Sequence, residues 1–334
     1  MTYNVTIEVL DRFSTRLHVN TILNFLINIP TMYFIIFHSS KAMGYYRYYL
    51  LYTVVTTFVM DLHQTVIYGI HFFPFPLANC CSGYCRHFGP VWGPQMNYVI
   101  MNMTASAAGT SLISLAGYRY FSICGNVKKF ESKYSLLKLF IFSIIYSIPT
   151  VVTLIAATFN YPQNELLDLV NRESPEYSSL VKMGICSGFK TRIHRLGYIG
   201  IVMLQIGLVQ SAGFILGLKT VNSLKSVKNS LSKSTYAAQK QFLISVWLQI
   251  LTSICTLIIP MLMISIIAVF KVKHSLYFAE IAVQMMTLRA PLNGLAITLT
   301  IKPYRDALKK LITCKSLSPS NRTSKTTTSI SIYR

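Results

Sequence analysis

The sequence predicts an all-α membrane protein, a seven-transmembrane helix bundle with a short amphipathic helix after the seventh span. Three observations predict it. Charged residues make up only 12% of the 334 residues and hydrophobic ones 52%, whereas a soluble domain carries about a quarter charged residues. Seven mainly apolar stretches run from one end of the chain to the other, each near the roughly 20 residues a helix needs to cross hydrocarbon. The Lys and Arg residues are shared unevenly between alternate connections, as they are around membrane spans.

The spans are expected at 17–37, 48–72, 91–118, 136–159, 198–218, 242–270 and 276–301. Pro30, Pro149, Pro260 and Pro291 fall inside them. In lipid a proline kinks a helix without ending it, because neighbouring groups satisfy the freed carbonyl. Residues 1–16 are read as an extracellular N-terminus, and the first apolar run as a signal anchor that is retained. Residues 17–301 form the bundle, with one large insertion near 160–197. Residues 302–315 form an amphipathic juxtamembrane helix. Ala307, Leu308, Leu311 and Ile312 share one of its faces, and Lys302, Arg305, Lys309 and Lys310 occupy much of the rest, which suits the surface of an anionic bilayer leaflet. Residues 316–334 are read as a disordered Ser/Thr-rich cytoplasmic tail.

With the N-terminus outside, 20 of the 31 Lys and Arg residues lie in the inner loops, the tail and, as Lys138, the inner end of the fourth span, 10 lie outside, and Arg289 lies within the seventh span. The net charge of the chain is +21. Its basic residues sit between apolar runs, so the partner they imply is the lipid bilayer and not nucleic acid. The seven cysteines lack metal-ligand spacing, and no phosphate-binding loop, metalloprotease motif or nucleophile elbow is present. No catalytic function and no cofactor are expected. Asn4 opens a glycosylation sequon on the outer side, and Cys314 is placed for palmitoylation or as a free thiol.

Ionisable residues inside a membrane are costly and need partners. Asp61 and Arg289 lie at similar depths in the second and seventh spans, at 1.5 Å rise per residue. They are expected to face each other as a polar core pair, either as a static tie between helices or as a switch reshaped on activation. Glu280, one turn into the seventh span, reads as an interfacial carboxylate near Lys271 and Lys273 or as a pocket residue. Depth and residue type alone suggest Met101, Asn102, Met203, Gln205, Met261 and Gln284 as the lining of an outer-half pocket, residues that also serve as ordinary packing.

Several stretches carry a family resemblance. They are Tyr46-Arg47-Tyr48-Tyr49-Leu50-Leu51, Asp61-Leu62-His63, Pro74-Phe75-Pro76-Leu77 with Gly83-Tyr84-Cys85, Ala238-Gln239-Lys240-Gln241, and Lys302-Pro303-Tyr304-Arg305. In order and spacing they resemble the nematode serpentine chemoreceptors of the Str superfamily, closest to its Srh and Sri branches. The resemblance implies a chemosensory G-protein-coupled receptor, with a small-molecule ligand outside and a heterotrimeric G protein inside, in the plasma membrane and in a sensory cilium. It implies a G-protein-facing role for Arg119 at the inner end of the third span, where a headgroup anchor is the plainer alternative. It also implies a disulfide from the start of the third span to the loop before the fifth. Cys85–Cys186 is the expected pairing, with Cys80 and Cys81 as rivals. The sequence departs from rhodopsin-like receptors at Tyr118, where an acid would precede the arginine, and at Pro291-Leu292-Asn293. A ligand-gated channel or small-molecule transporter is the alternative function.

Overall fold

The structure is a computed structural model. It describes residues 5–40, 43–73, 78–132, 134–159, 161–270, 272 and 276–313. Asn4, Cys314 and the tail at 316–334 lie outside the described residues.

Helices α1 (Ile7–His38), α2 (Tyr46–Leu62), α3 (Met96–Ile123) and α4 (Ser135–Thr158) form the first four spans. Two short helices follow, α5 (Gln163–Glu173) and α6 (Ser178–Lys182). The fifth span is α7 (Arg192–Ser226). The sixth is α8 (Lys233–Ser253) continued through a π-helical turn at Ile254–Ile258 into α9 (Ile259–Phe270). The seventh is α10 (Leu276–Met286) and α11 (Arg289–Thr300), and α12 (Lys302–Ile312) closes the described chain. Six of the described helices are long and apolar enough to cross a membrane by length and composition. The seventh span falls below that length only because it is divided in two.

Proline explains the division. Pro291 offers no N–H to the Thr287 carbonyl, and its ring collides with that carbonyl in a continuous helix. The chain parts at Thr287–Leu288 and restarts at Arg289, so Pro291 sits in the first turn of α11, where a missing N–H is tolerated. The sixth span behaves alike: the π turn contains Thr256, the residue whose carbonyl Pro260 cannot satisfy.

Two expected boundaries move. The first helix starts ten residues early, at Ile7, because Leu10, Phe13 and Leu17 continue one buried face beyond the span. The second span ends at the π turn His63–Ile67 and does not reach residue 72. Gly69 turns the chain there at a φ of +54°. A Cβ on Gly69 would stand 2.5 Å from the Gly83 backbone nitrogen. Strand β1 (Ile70–Phe73) then pairs antiparallel with β2 (Ala78–Cys81), and β2 pairs with β3 (Cys186–Ser187). This sheet and α5–α6 cap the bundle over a small core of its own, including Val5, Leu10, Leu166, Val170, Leu180 and Ile185. The N-terminal chain joins it, with the Val5 N–H donating to the Glu176 carbonyl at 2.9 Å.

Polarity in the bundle runs inward. Ile22, Leu26, Phe37, Ile145, Val152 and Leu204 are exposed on its rim, while asparagines and threonines bond between the first, second and seventh spans. Thr21 donates to Thr65 at 2.8 Å, Asn20 donates to Thr287 at 2.8 Å, and Thr31 meets Thr298 at 3.0 Å. Such seams hold helices together where lipid offers no hydrophobic drive between them. At the end opposite the cap, α12 docks through Tyr304, whose hydroxyl meets Ser39 Oγ at 2.7 Å. Burial pushes the Tyr304 phenol above its ordinary pKa, so it stays protonated in that contact.

Gly294 lets the first and seventh spans touch, since a Cβ there would stand 2.6 Å from Asn28 Oδ1 and 3.0 Å from Ile27 Cγ2. Overpacking of this kind costs about 1–3 kcal/mol. Gly294→Leu is expected to lower the melting temperature of the detergent-purified protein, read from its thermal unfolding curve.

Candidate functional site

A cavity of about 90 Å³, counted as the room open to centres of water-sized spheres, lies among the third to seventh spans and the end of the second. One water needs about 10–15 Å³ on that measure, so the space suits a small organic molecule. Its walls are largely apolar, with Met101, Val202, Ile206, Leu257 and Met261 among them. Tyr98, Tyr146 and Tyr198 add phenols.

Of the residues expected to line a pocket, Met101, Asn102, Gln205 and Met261 border this cavity, and Met203 and Gln284 do not. Helix phase sets these two apart. At 3.6 residues per turn, Met203 lies about a quarter turn from the face that carries Val202, Ile206 and Val209. Gln284 lies nearly opposite the face of Met286 and Arg289, and its carbonyl accepts from Asn20 of α1 at 3.3 Å. The sequence reading missed Gln64, Gln210 and the three tyrosines. The signal for Tyr98 was its spacing of three and four residues from Met101 and Asn102; Gln64 and Tyr146 lie on spans where no lining residue was expected.

Hydrogen bonding separates spoken-for polar groups from open ones. The Asn102 amide donates to the Tyr98 carbonyl at 2.8 Å and accepts from the Tyr198 hydroxyl at 2.9 Å. Gln205 donates to the Tyr146 carbonyl at 2.7 Å, its backbone carbonyl accepts from the Tyr146 hydroxyl at 2.6 Å, and its side-chain oxygen accepts from Thr150. Gln64 and Gln210 each keep a buried amide oxygen with no partner.

Arg289 forms the deep end of this cavity and also borders a second one of about 10 Å³, lined in part by Thr53, Thr57, Gln249 and Asn293. Asp61 and Arg289 are both buried, at 0% and 3% exposure, and close enough to attract each other. They do not form the expected head-to-head contact. Asp61 Oδ2 instead accepts the backbone N–H of Ala290 at 2.7 Å. The break before α11 leaves that N–H without a helical acceptor, and a carboxylate suits the positive end of a helix. The Arg289 guanidinium reaches Met60 Sδ at 4.0 Å and the Ala108 carbonyl at 3.4 Å. Glu280 pairs with Arg16 of α1 at 3.1 Å.

The disulfides differ from expectation. Cys80 pairs with Cys186, and Cys81 pairs with Cys85, so Cys85–Cys186 is not formed. Strand register decides this: Cys80 stands directly opposite Cys186 in the β2–β3 ladder, with Cα atoms 4.0 Å apart. Cys81 alternates to the other face and meets Cys85.

At the far end of the bundle, Arg119 is buried in an aromatic cage. Its guanidinium carbon lies 3.2 Å from the Tyr46 ring centre and 3.8 Å from that of Phe242. Nη1 donates to Gln239 Oε1 at 3.3 Å, while Nε and Nη2 lack partners. The neighbouring Tyr118 hydroxyl donates instead to Glu131 at 3.2 Å.

A family model for the serpentine-type seven-transmembrane chemoreceptor Sri matches residues 3–308. The chain belongs to the Sri family of serpentine chemoreceptors, which are G-protein-coupled receptors. The fold of this Sri receptor is similar to that in the crystal structure of squid rhodopsin. The TM-score is 0.63 at 12% identity, over 93% of this chain and 87% of that one. No curated protein sequence matches the receptor.

Peptide mapping without reduction should recover Cys80 linked to Cys186 and Cys81 linked to Cys85; a Cys85–Cys186 peptide would contradict the register.

Proposed function

We propose that this receptor binds a small molecule from outside the cell in the large cavity and passes the signal to a heterotrimeric G protein. The cap faces outward and α12 lies on the inner leaflet, in keeping with the excess of Lys and Arg in the loops and tail on the α12 side. The observation that carries this reading is the pairing of two sites at opposite ends of one bundle: a mainly apolar cavity beneath the cap, and a buried, under-coordinated Arg119 at the other end.

Arg119 is held by the faces of Tyr46 and Phe242 and not by an acid. A cation desolvated against an aromatic face gains about 2 kcal/mol. This cage keeps the arginine away from a partner in the resting state. Ligand that binds better to an arrangement with the cage open raises the share of that arrangement. Residues 302–315 and the Ser/Thr-rich tail would then flank the G-protein surface.

Three results test this. In cells carrying a cAMP or calcium reporter, a screened ligand should lose potency on Ala105→Phe, which fills the cavity wall, while surface display persists. Arg119→Ala should abolish the response at unchanged surface level. Tyr46→Ala should raise ligand-free signalling about tenfold, the effect of losing roughly 1.4 kcal/mol from the resting state. Ligand-gated current that persists without G protein would favour a channel instead.

A further inference from the structure

We propose that the cavity selects a small organic anion, an apolar body bearing a carboxylate, with Arg289 as the group that holds the charge. This rests on the receptor function proposed above and narrows it to a ligand class.

The weak bonding of Arg289 carries the inference. A guanidinium has five N–H donors. Here the acceptors in reach are a thioether sulfur at 4.0 Å and the Ala108 carbonyl at 3.4 Å, against about 2.7–3.2 Å for an ordinary N–H···O bond. Asp61 balances the charge without bonding the guanidinium: Oδ2 is taken by the Ala290 N–H, and Oδ1 is buried without a partner. The side chain is 3% exposed, so its own N–H groups need acceptors from the protein or from what enters the cavity.

The rest of the lining discriminates further. Neither Asp nor Glu borders the cavity. An ammonium ligand would therefore meet a buried like charge with no counter-ion on the wall, which disfavours it strongly. A carboxylate can take two parallel N–H bonds from the guanidinium fork, the strongest geometry such a pair offers. The partnerless oxygens of Gln64 and Gln210 accept from a hydroxyl on the ligand or from water carried with it. Met101, Val202, Ile206, Leu257 and Met261 leave the remaining wall for an apolar body.

The test uses the full-length receptor in detergent and matched probes: phenylacetate and hexanoate, each beside its primary amide and the amine of equal length. Affinities are read from ligand-dependent thermal shifts. The acids should bind about 10- to 100-fold tighter than their amides, the range of a charge-assisted hydrogen bond, and the amines should not bind. Arg289→Gln should erase the preference of acid over amide, and Arg289→Lys should keep part of it. The comparison of acid with amide on the unaltered protein holds even where Arg289→Gln fails to fold. Amides equal to acids, amines that bind, or no acid binding would each overturn the inference. So would an acid preference untouched in both Arg289 variants. Neutral ligands whose binding is lost in Ala105→Phe would leave the receptor cavity standing with the anion excluded. Acid binding that ignores Ala105→Phe would overturn the cavity as well.

Discussion

The bundle depends on one hydrogen bond between a side chain and a broken helix. Within the membrane there is no water to receive a freed backbone group, yet Pro291 forces the seventh span apart at Thr287–Leu288. The first N–H groups of α11 then need acceptors, and Asp61 supplies one through the Ala290 N–H at 2.7 Å. The carboxylate gains the positive helix terminus in return. Several features follow from this placement. Arg289, the first residue of α11, is left beside the cavity and not locked head-on to Asp61. Gly294 and Asn28 come into contact one turn further on. The threonine and asparagine seam between the first and seventh spans continues that alignment toward α12.

The cap shows a different economy. A strand of two residues at Cys186–Ser187, a hairpin and two short helices have little core of their own. Covalent links make up the deficit: Cys80–Cys186 closes 106 residues of sequence, the kind of long loop for which a cross-link most restricts the unfolded chain. The early turns of α1 are drawn into the same structure, with Asp11 paired to Arg86 at 2.7 Å and Arg16 to Glu280 at 3.1 Å. The N-terminal end of the first span, the start of the third and the seventh are thereby tied beneath one lid.

Much of this was legible in the residues. Apolar length and the low share of charge give the spans, because the thickness of hydrocarbon fixes the length of a helix that crosses it. Depth is equally readable, which is why Asp61 and Arg289 fall at one level and why Met101, Asn102, Gln205 and Met261 border the cavity. Helix phase is not readable from depth, so Met203 and Gln284 point elsewhere. The Asp61–Ala290 bond was out of reach, since it exists only once the helix has parted at Leu288. The cap was also hidden: its strands are two to four residues long, too short for a period-two signal, although the Leu166 and Val170 spacing in α5 does mark a one-sided helix. The disulfides turned on the β2–β3 register, which decides between adjacent Cys80 and Cys81. The cage around Arg119 joins Tyr46 and Phe242, residues 196 apart in number, with nothing local to announce it.

The bonds of Gln205 reach beyond the cavity wall. Tyr146 exchanges two hydrogen bonds with Gln205, and Thr150 adds a third. Thr110 meets Ser143 at 2.6 Å. The third span is thus tied to the fourth, and the fourth to the fifth, by side-chain hydrogen bonds across the middle of the bundle. The seventh span is bonded instead to the first and second, through Thr287, Thr298 and Ala290, and the sixth and seventh each carry a proline-made joint beside the cavity, at Ile254–Ile258 and at Thr287–Leu288. The cavity thus has two jointed helices on one side and the cross-bonded third, fourth and fifth spans on the other.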